Sequence, residues 1–232
     1  MLIYKHKFRQ FSHWIRPLTD VYMMYILAAI MSTSSQSLSA HATRQRIALA
    51  SMAVFADRGL KDARVQDILE AAGVSRRTFY RHFSDKHAAL EGVYLLTRDA
   101  LLDAFNSIEA AEESAWTALN SLLDAYFEFH RSDRGLLRIL VEEALRSDSR
   151  LSPHRIQFRQ TILDRIDRAA VELRGQALDP YVGVALMAAL EGLSLEILRA
   201  PTDIHAIDRA RAAIRTLLGA ALGDAPRLQE AP

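Results

Sequence analysis

Cysteine is missing from all 232 residues, so disulfide frameworks, thiolate metal sites and thiol redox chemistry are excluded. Glycine and proline are scarce, at nine and six, and the few that occur punctuate the chain legibly. No stretch alternates apolar and polar residues as a half-buried strand would. HExxH, nucleophile-elbow, GxGxxG and Walker-type patterns are all lacking. No two histidines stand four apart, and the adjacent Glu142 and Glu143 diverge by about 100° on a helix. The expectation is a chain that is not an enzyme, with no catalytic residues, no metal and no cofactor. The apolar run over 21–31 is about half of the roughly twenty residues that a spanning helix needs, so no membrane partner is expected.

What is present is an ordinary globular balance, half apolar and a quarter charged, with a net charge of +1. That small total conceals a division. Residues 43–86 hold nine Lys/Arg against five Asp/Glu, whereas residues 87–232 hold sixteen against twenty-two. A basic module on an acidic body suits one part made for a polyanion and another for something else. The length fits a small domain attached to a medium one.

Residues 1–40 read as an N-terminal extension outside the working fold. A basic front (Lys5, Lys7, Arg9, Arg16) and the apolar run lead into a serine-rich segment after Met31, which is a candidate true start. From Thr43 onward, apolar residues recur at helical spacing and predict an all-α chain of about nine helices. The first covers about 43–58, with Gly59 just past its end. Two short helices flank Gly73, and a fourth begins near Asp85 with Ser84 as N-cap and passes Leu101. A fifth covers about 114–131, and Ser132 is placed to cap a sixth that ends at Leu145. Ser152-Pro153 and Asp179-Pro180 open the seventh and eighth, which stop at Gly175 and Pro201. Thr202 or Asp203 caps a ninth that ends near Leu222, and residues 223–232 form a tail.

Residues 65–90, VQDILEAAGVSRRTFYRHFSDKHAAL, are the most informative stretch. A short amphipathic helix buries Ile68 and Leu69, and Gly73 supplies the left-handed turn that costs glycine nothing. Val74 plugs the corner, and Ser75 caps a second short helix with Phe79 inward. Phe55, Phe79 and Phe83 are assigned to the core. This is a helix-turn-helix, within about 64–83, whose second helix suits a major groove. Two arginines stand in its first turn, and arginine pairs bidentately with guanine or phosphate.

The run A-A-G-V-S-x-x-T-F-Y-x-H-F-x-x-K, with F-A-D-R-G before it, closely resembles the DNA-binding domain of the TetR (tetracycline-repressor) family over residues 41–101. The resemblance implies a three-helix head, a linking fourth helix and a ligand-binding, dimerising body over 102–222. It implies DNA contacts from Arg64, Ser75, Arg76, Arg77, Thr78, Tyr80, Arg81, His82 and Lys86, with Tyr80 and Lys86 on the phosphate backbone. Three departures stand out. Arg77 replaces a common glycine, Arg64 replaces a threonine that caps helix two, and His87 stands where a glutamate often completes a cap. The implied partners are double-stranded DNA with a palindromic operator, a small-molecule effector and a second copy of the chain. The implied role is a cytoplasmic repressor released from its operator by an apolar or aromatic ligand.

In the body, one stripe of helix eight (Val182, Leu186, Ala189, Leu193) and one of helix nine (Ile207, Ile214, Leu217) are expected to form a four-helix dimer interface. Leu101, Phe105, Trp116, Tyr126, Phe127, His130, Phe158, Ile162 and Met187 are the expected pocket residues.

Overall fold

The computed structural model describes residues 37–132, 134–199 and 205–223. The expectations for the first thirty-six residues, for caps at Thr202 and Asp203 and for residues 224–232 lie outside this set, as does the Ser132 side chain. Among the described residues the chain is nine α-helices and no strand, as the periodicity predicts. Contacts divide it into two compact units at Ala100/Leu101.

In the first unit, α1 (Ser37–Asp62) starts before the expected residue 43 and breaks at Gly59, whose φ of 72° is non-helical. A residue with a Cβ is strained there. α2 (Val65–Ala72) follows. Arg64 stands at its N-cap, but its side chain makes no capping bond. Asp67, three residues on, supplies the reciprocal half of a capping box. Its carboxylate accepts from the Arg64 backbone N–H at 2.8 Å and pairs with Arg58 at 3.0 Å, tying α2 to the end of α1. Gly73 turns the chain at φ 62°, ψ 40°. Val74 N–H closes the turn on the Leu69 carbonyl. α3 (Arg76–His82) begins at Ser75, whose hydroxyl accepts from Thr78 N–H at 3.1 Å. The four buried phenylalanine and isoleucine side chains Ile47, Phe55, Ile68 and Phe79, with Phe83, form the centre of this head.

α4 (Lys86–Ala111) starts one turn later. Its N-cap is Asp85, which accepts from Ala88 N–H at 2.8 Å, and not Ser84 as the sequence suggested. The carboxylate displaces the hydroxyl because a charged acceptor makes the stronger bond at a helix N-terminus. Lys86 also needs correction. Its Nζ donates to the carbonyls of Leu60 (2.8 Å), Lys61 (3.0 Å) and Ala63 (2.9 Å). An ammonium has three N–H donors, so all are committed, two to carbonyls in the last turn of α1 and one to the Ala63 carbonyl between α1 and α2. Lys86 is thus a clasp within the head and not a free hand for DNA phosphate. Further along α4, Gly92 lets the helix approach Phe83, because a Cβ there would lie 2.8 Å from the ring. Arg44 covers the same ring at 4.3 Å and donates to the His82 carbonyl at 2.6 Å.

The second unit comprises α5 (Ala115–Ser132), α6 (Arg134–Leu145), α7 (Ser152–Arg174), α8 (Pro180–Arg199) and α9 (Ala206–Leu222), with the end of α4. α7 opens at Leu151, has Pro153 in its first turn, and closes on Gly175 in the left-handed region. Asp179 accepts from Tyr181 N–H at the start of α8. α9 starts with His205 at its N-cap. α5 packs against α7 and α9, and α8 packs against α6, α7 and α9. Phe105, Leu123, Phe127, Ile166, Leu186 and Ile214 belong to one continuous core. Arg215–Asp124 and Arg211–Glu128 pairs fasten α9 to α5 at the rim. α8 is long and apolar enough to cross a membrane. Its inner side, with Leu186, Met187, Ile197 and Leu198, is nevertheless buried on the core.

Two substitutions test the head. Lys86→Met strips three carbonyls of their donor and should lower stability by about 1–3 kcal/mol, measured by denaturant unfolding without DNA. Gly92→Leu should cost about 1–3 kcal/mol by overpacking Phe83, seen as a lower Tm. Wild-type stability in either variant contradicts the corresponding contact.

Candidate nucleic-acid interface and ligand cavity

α3 presents a charged outer face because its inner one is spent on packing. Phe79 is fully buried, while Arg76, Arg77, Tyr80 and Arg81 are exposed. Tyr80 meets Phe79 edge to face at 5.4 Å, so its hydroxyl end stands out from a ring braced at its base. Ser75 and Thr78 are occupied differently. Their hydroxyls bond each other at 3.0 Å and close the first turn of α3. They hold the helix whose arginines project. Arg64 is exposed at the start of α2.

His82 is half-buried at the end of α3, and its Nε2 is buried without a partner. Burial, then the positive charges of Arg81 and Arg44, hold its pKa below the ordinary imidazole value. Neutral His82 therefore adds no charge to this face, which gets its positive potential from guanidinium groups. Arg44 is a residue the motif did not single out. It lies at the base of the face, fixed by the His82 carbonyl and the Phe83 ring.

The second unit contains a cavity of about 60 Å³. Of the expected pocket residues, Phe105, Tyr126, Ile162 and Met187 line it. Leu101 and Phe127 are buried in the core away from its wall, and Trp116 and Phe158 pack against that core. His130 is also away from the wall. It is buried, with Nδ1 2.8 Å from the Tyr126 carbonyl oxygen. Burial lowers its pKa, and the Tyr126 bond opposes that shift. A neutral buried imidazole fits a structural role. Tyr126 turns its hydroxyl to Ser194 at 2.8 Å. One charged residue, Arg165, stands in the wall, and nothing in the expected set anticipated it.

The expected dimer stripe is corrected in part. Leu186, Ile207 and Ile214 are buried inside this chain's own core, and Leu186 and Ile214 line the cavity. Ala189 and Leu193 are half-buried, while Val182 and Leu217 are exposed. Both helices are apolar on two sides, so spacing alone mixed inward positions with the outward Val182 and Leu217. The outward one on α8 is Tyr181, Val184, Ala185, Ala188 and Gly192, and on α9 Ala213, Leu217 and Ala220, all exposed.

Residues 47–93 match the family of bacterial regulatory proteins called the tetR family. The regulator YvdT of Bacillus subtilis is 31% identical over 83 residues, 36% of this chain and 43% of its own length. The transcriptional repressor KstR2 of Mycolicibacterium smegmatis is 33% identical over 93 residues, 40% of this chain and 45% of that protein. The chain thus aligns with less than half the length of these relatives. The solved structure of a putative TetR-family regulator from Rhodococcus sp. superposes with a TM-score of 0.63 at 26% identity. That match covers 78% of this chain and 98% of the other. The match lies on the helices that carry Gly73, Ser75 and the exposed arginines of α3, and over this head the chain is similar to the DNA-binding domain of the TetR family.

Proposed function

We propose that this chain is a sequence-specific DNA-binding transcriptional regulator, a cytoplasmic homodimer that represses until a small apolar or aromatic ligand releases it from a palindromic operator. The observation that carries the reading is the outer face of α3, where Arg76, Arg77, Tyr80 and Arg81 project from a helix capped and braced from behind. A helix of this kind enters the major groove with its first turn nearest the base edges. Arg77 is the base reader and Tyr80 a backbone contact. Arg64 and Arg81 flank them at phosphates. Repression is the role of the relative KstR2, a transcriptional repressor, whose similarity lies in part of the chain only.

The dimer forms through the outward stripes of α8 and α9. Alanine and glycine at 185, 188, 192, 213 and 220 let helix backbones approach closely, and Val184 and Leu217 fill the remaining gaps. An apolar stripe of this length beside a buried core face suits a second copy of the chain. For release, a ligand must prefer a conformation in which the cavity is larger. At about 60 Å³ it is smaller than the roughly 150 Å³ cavity known to admit benzene. Met187, unbranched and adaptable, is the lining side chain best able to yield. α4 carries Phe105 to the cavity wall and Lys86 to the head, so one helix takes part in both. The ligand shifts DNA affinity by no more than its preference for one state over the other.

Gel retardation with the chain's own upstream DNA tests the reading, and no specific retardation there refutes it. Two variants refine it. Arg77→Ala should relax preference at one operator position by about 1–3 kcal/mol; a uniform loss over all single-base variants, with a shallower salt dependence, makes Arg77 a phosphate grip instead. Ala188→Glu should yield a folded monomer by light scattering and weaken operator binding, since a dimer engages two half-sites together. An unchanged dimer refutes the stripe.

A further inference from the structure

Arg165 has no business on its face of α7 unless something uses it. Phe158, Ile162, Ile166 and Ala169 mark the inward phase of that helix, and Arg165 stands among them, 8% exposed, in the wall of the cavity. Burying a guanidinium is costly, and an apolar residue at such a site is often neutral or better for stability. Its partners account for only part of it. Nη2 donates to the Asn106 amide oxygen at 2.7 Å and Nη1 pairs with Glu109, while Nε is buried and has no partner. Glu109 is shared with a second cation, because Arg168 Nη2 lies 3.8 Å from its other oxygen. Two guanidinium groups thus share one carboxylate, Arg168 from a mostly exposed position. The rest of the cavity wall is apolar apart from the Tyr126 hydroxyl, which is turned to Ser194.

We propose that the effector is an apolar monocarboxylate whose head docks on the Nε and Nη2 edge of Arg165 and displaces the Asn106 oxygen. This inference rests on the cavity being the effector site. The Nε–Nη2 edge of a guanidinium presents two parallel N–H groups that match a carboxylate bidentately. The group now on Nη2 is a neutral amide, a weaker acceptor than a carboxylate. Asn106 is itself exposed, so its amide returns to water when displaced. The apolar wall takes the ligand's body, and Phe105, 5.8 Å from the guanidinium carbon, flanks the junction of head and body. A neutral ligand of the same shape forgoes the charge-assisted pair and leaves Nε unsatisfied. The site therefore selects for charge at one end and for hydrocarbon at the other.

The test is calorimetric titration of the full chain with unbranched monocarboxylates from hexanoate to decanoate and with the primary amides of matched length. The acids should bind at least about tenfold more tightly than the amides, the usual scale of a charge-assisted bond. Arg165→Met should abolish that preference while amide binding persists. Asn106→Asp, which keeps the arginine but fills the same edge with an internal carboxylate, should weaken acid binding about tenfold and spare the amides. If Arg165→Met does not fold, as circular dichroism would reveal, Asn106→Asp decides alone. Equal affinity for acid and amide, no binding of either, or an acid preference that survives the variants overturns the proposal. Ligand-free gel retardation on the upstream DNA separates the two readings. Specific retardation without an acid preference overturns this inference only, and an acid preference without retardation overturns the regulator reading only.

Discussion

The end of α1 leaves carbonyls that no further helical turn can satisfy, and the ammonium of Lys86 takes those of Leu60 and Lys61 together with that of Ala63 in the α1–α2 corner. Much of the head follows from that clasp. It fixes where α4 starts relative to the end of α1, and the start of α4 sets where Gly92 meets Phe83. Phe83 in turn lies under Arg44 and next to Phe79, at 5.8 Å between rings, and Phe79 is the inward anchor of α3. The orientation of Arg76 and Arg77 is therefore set through Phe79 and Phe83. Asp67 makes a second closure at the α1–α2 corner, holding Arg58 and the Arg64 backbone together. A helix of seven residues cannot be stable alone, and these closures give α3 its fixed direction.

The head was legible because each of its turns needs a particular residue type. Gly73 has φ of 62°, where other residues are strained, and Ser75 caps α3 through the bond its position predicts. The departure at Arg64 was legible only as a gap, because Asp67 acts on the corner from three residues on, and Ser84 reads as the cap of α4 where the neighbouring Asp85 makes the bond. Lys86 misled for a different reason. A lysine at a helix start in a basic module looks like an anion contact, and only the backbone path shows three carbonyls converging on it. Arg44 gave no motif at all, since its partners are the His82 carbonyl and a ring thirty-nine positions away.

In the body, periodicity found the helices but could not rank their faces. α8 and α9 each carry two apolar stripes, and side-chain size is the feature that distinguishes them. The large residues Leu186, Met187, Ile207 and Ile214 point to this chain's core, and the exposed stripe is rich in alanine and glycine. Aromatic content was likewise a poor guide to the cavity, where leucines contribute more of the wall than aromatic rings do. Arg165 was readable in principle. An arginine on the same helical phase as Ile162, Ile166 and Ala169 breaks the pattern, but α7 holds so many arginines that this one did not stand apart.

α8 joins these threads. Leu186, Met187 and Leu190 line the cavity from one side of the helix, and Val184, Ala185 and Ala188 are exposed on another. Close-packed interiors transmit displacement and do not absorb it, so widening a cavity of about 60 Å³ must move α8 or a helix packed on it. Gly183 limits one response, since its Cα already lies close enough to α7 that a Cβ would stand 3.1 Å from Leu163. The N-terminal end of α8 is thus tightly seated, whereas Gly192 has open space where its side chain would be. A ligand that displaces Met187 would be expected to tilt α8 about its seated end. In a dimer built on the outward stripe, that tilt would turn each copy relative to its mate. A small-residue interface serves this end, because close backbone contact makes the angle between helices sensitive to small shifts.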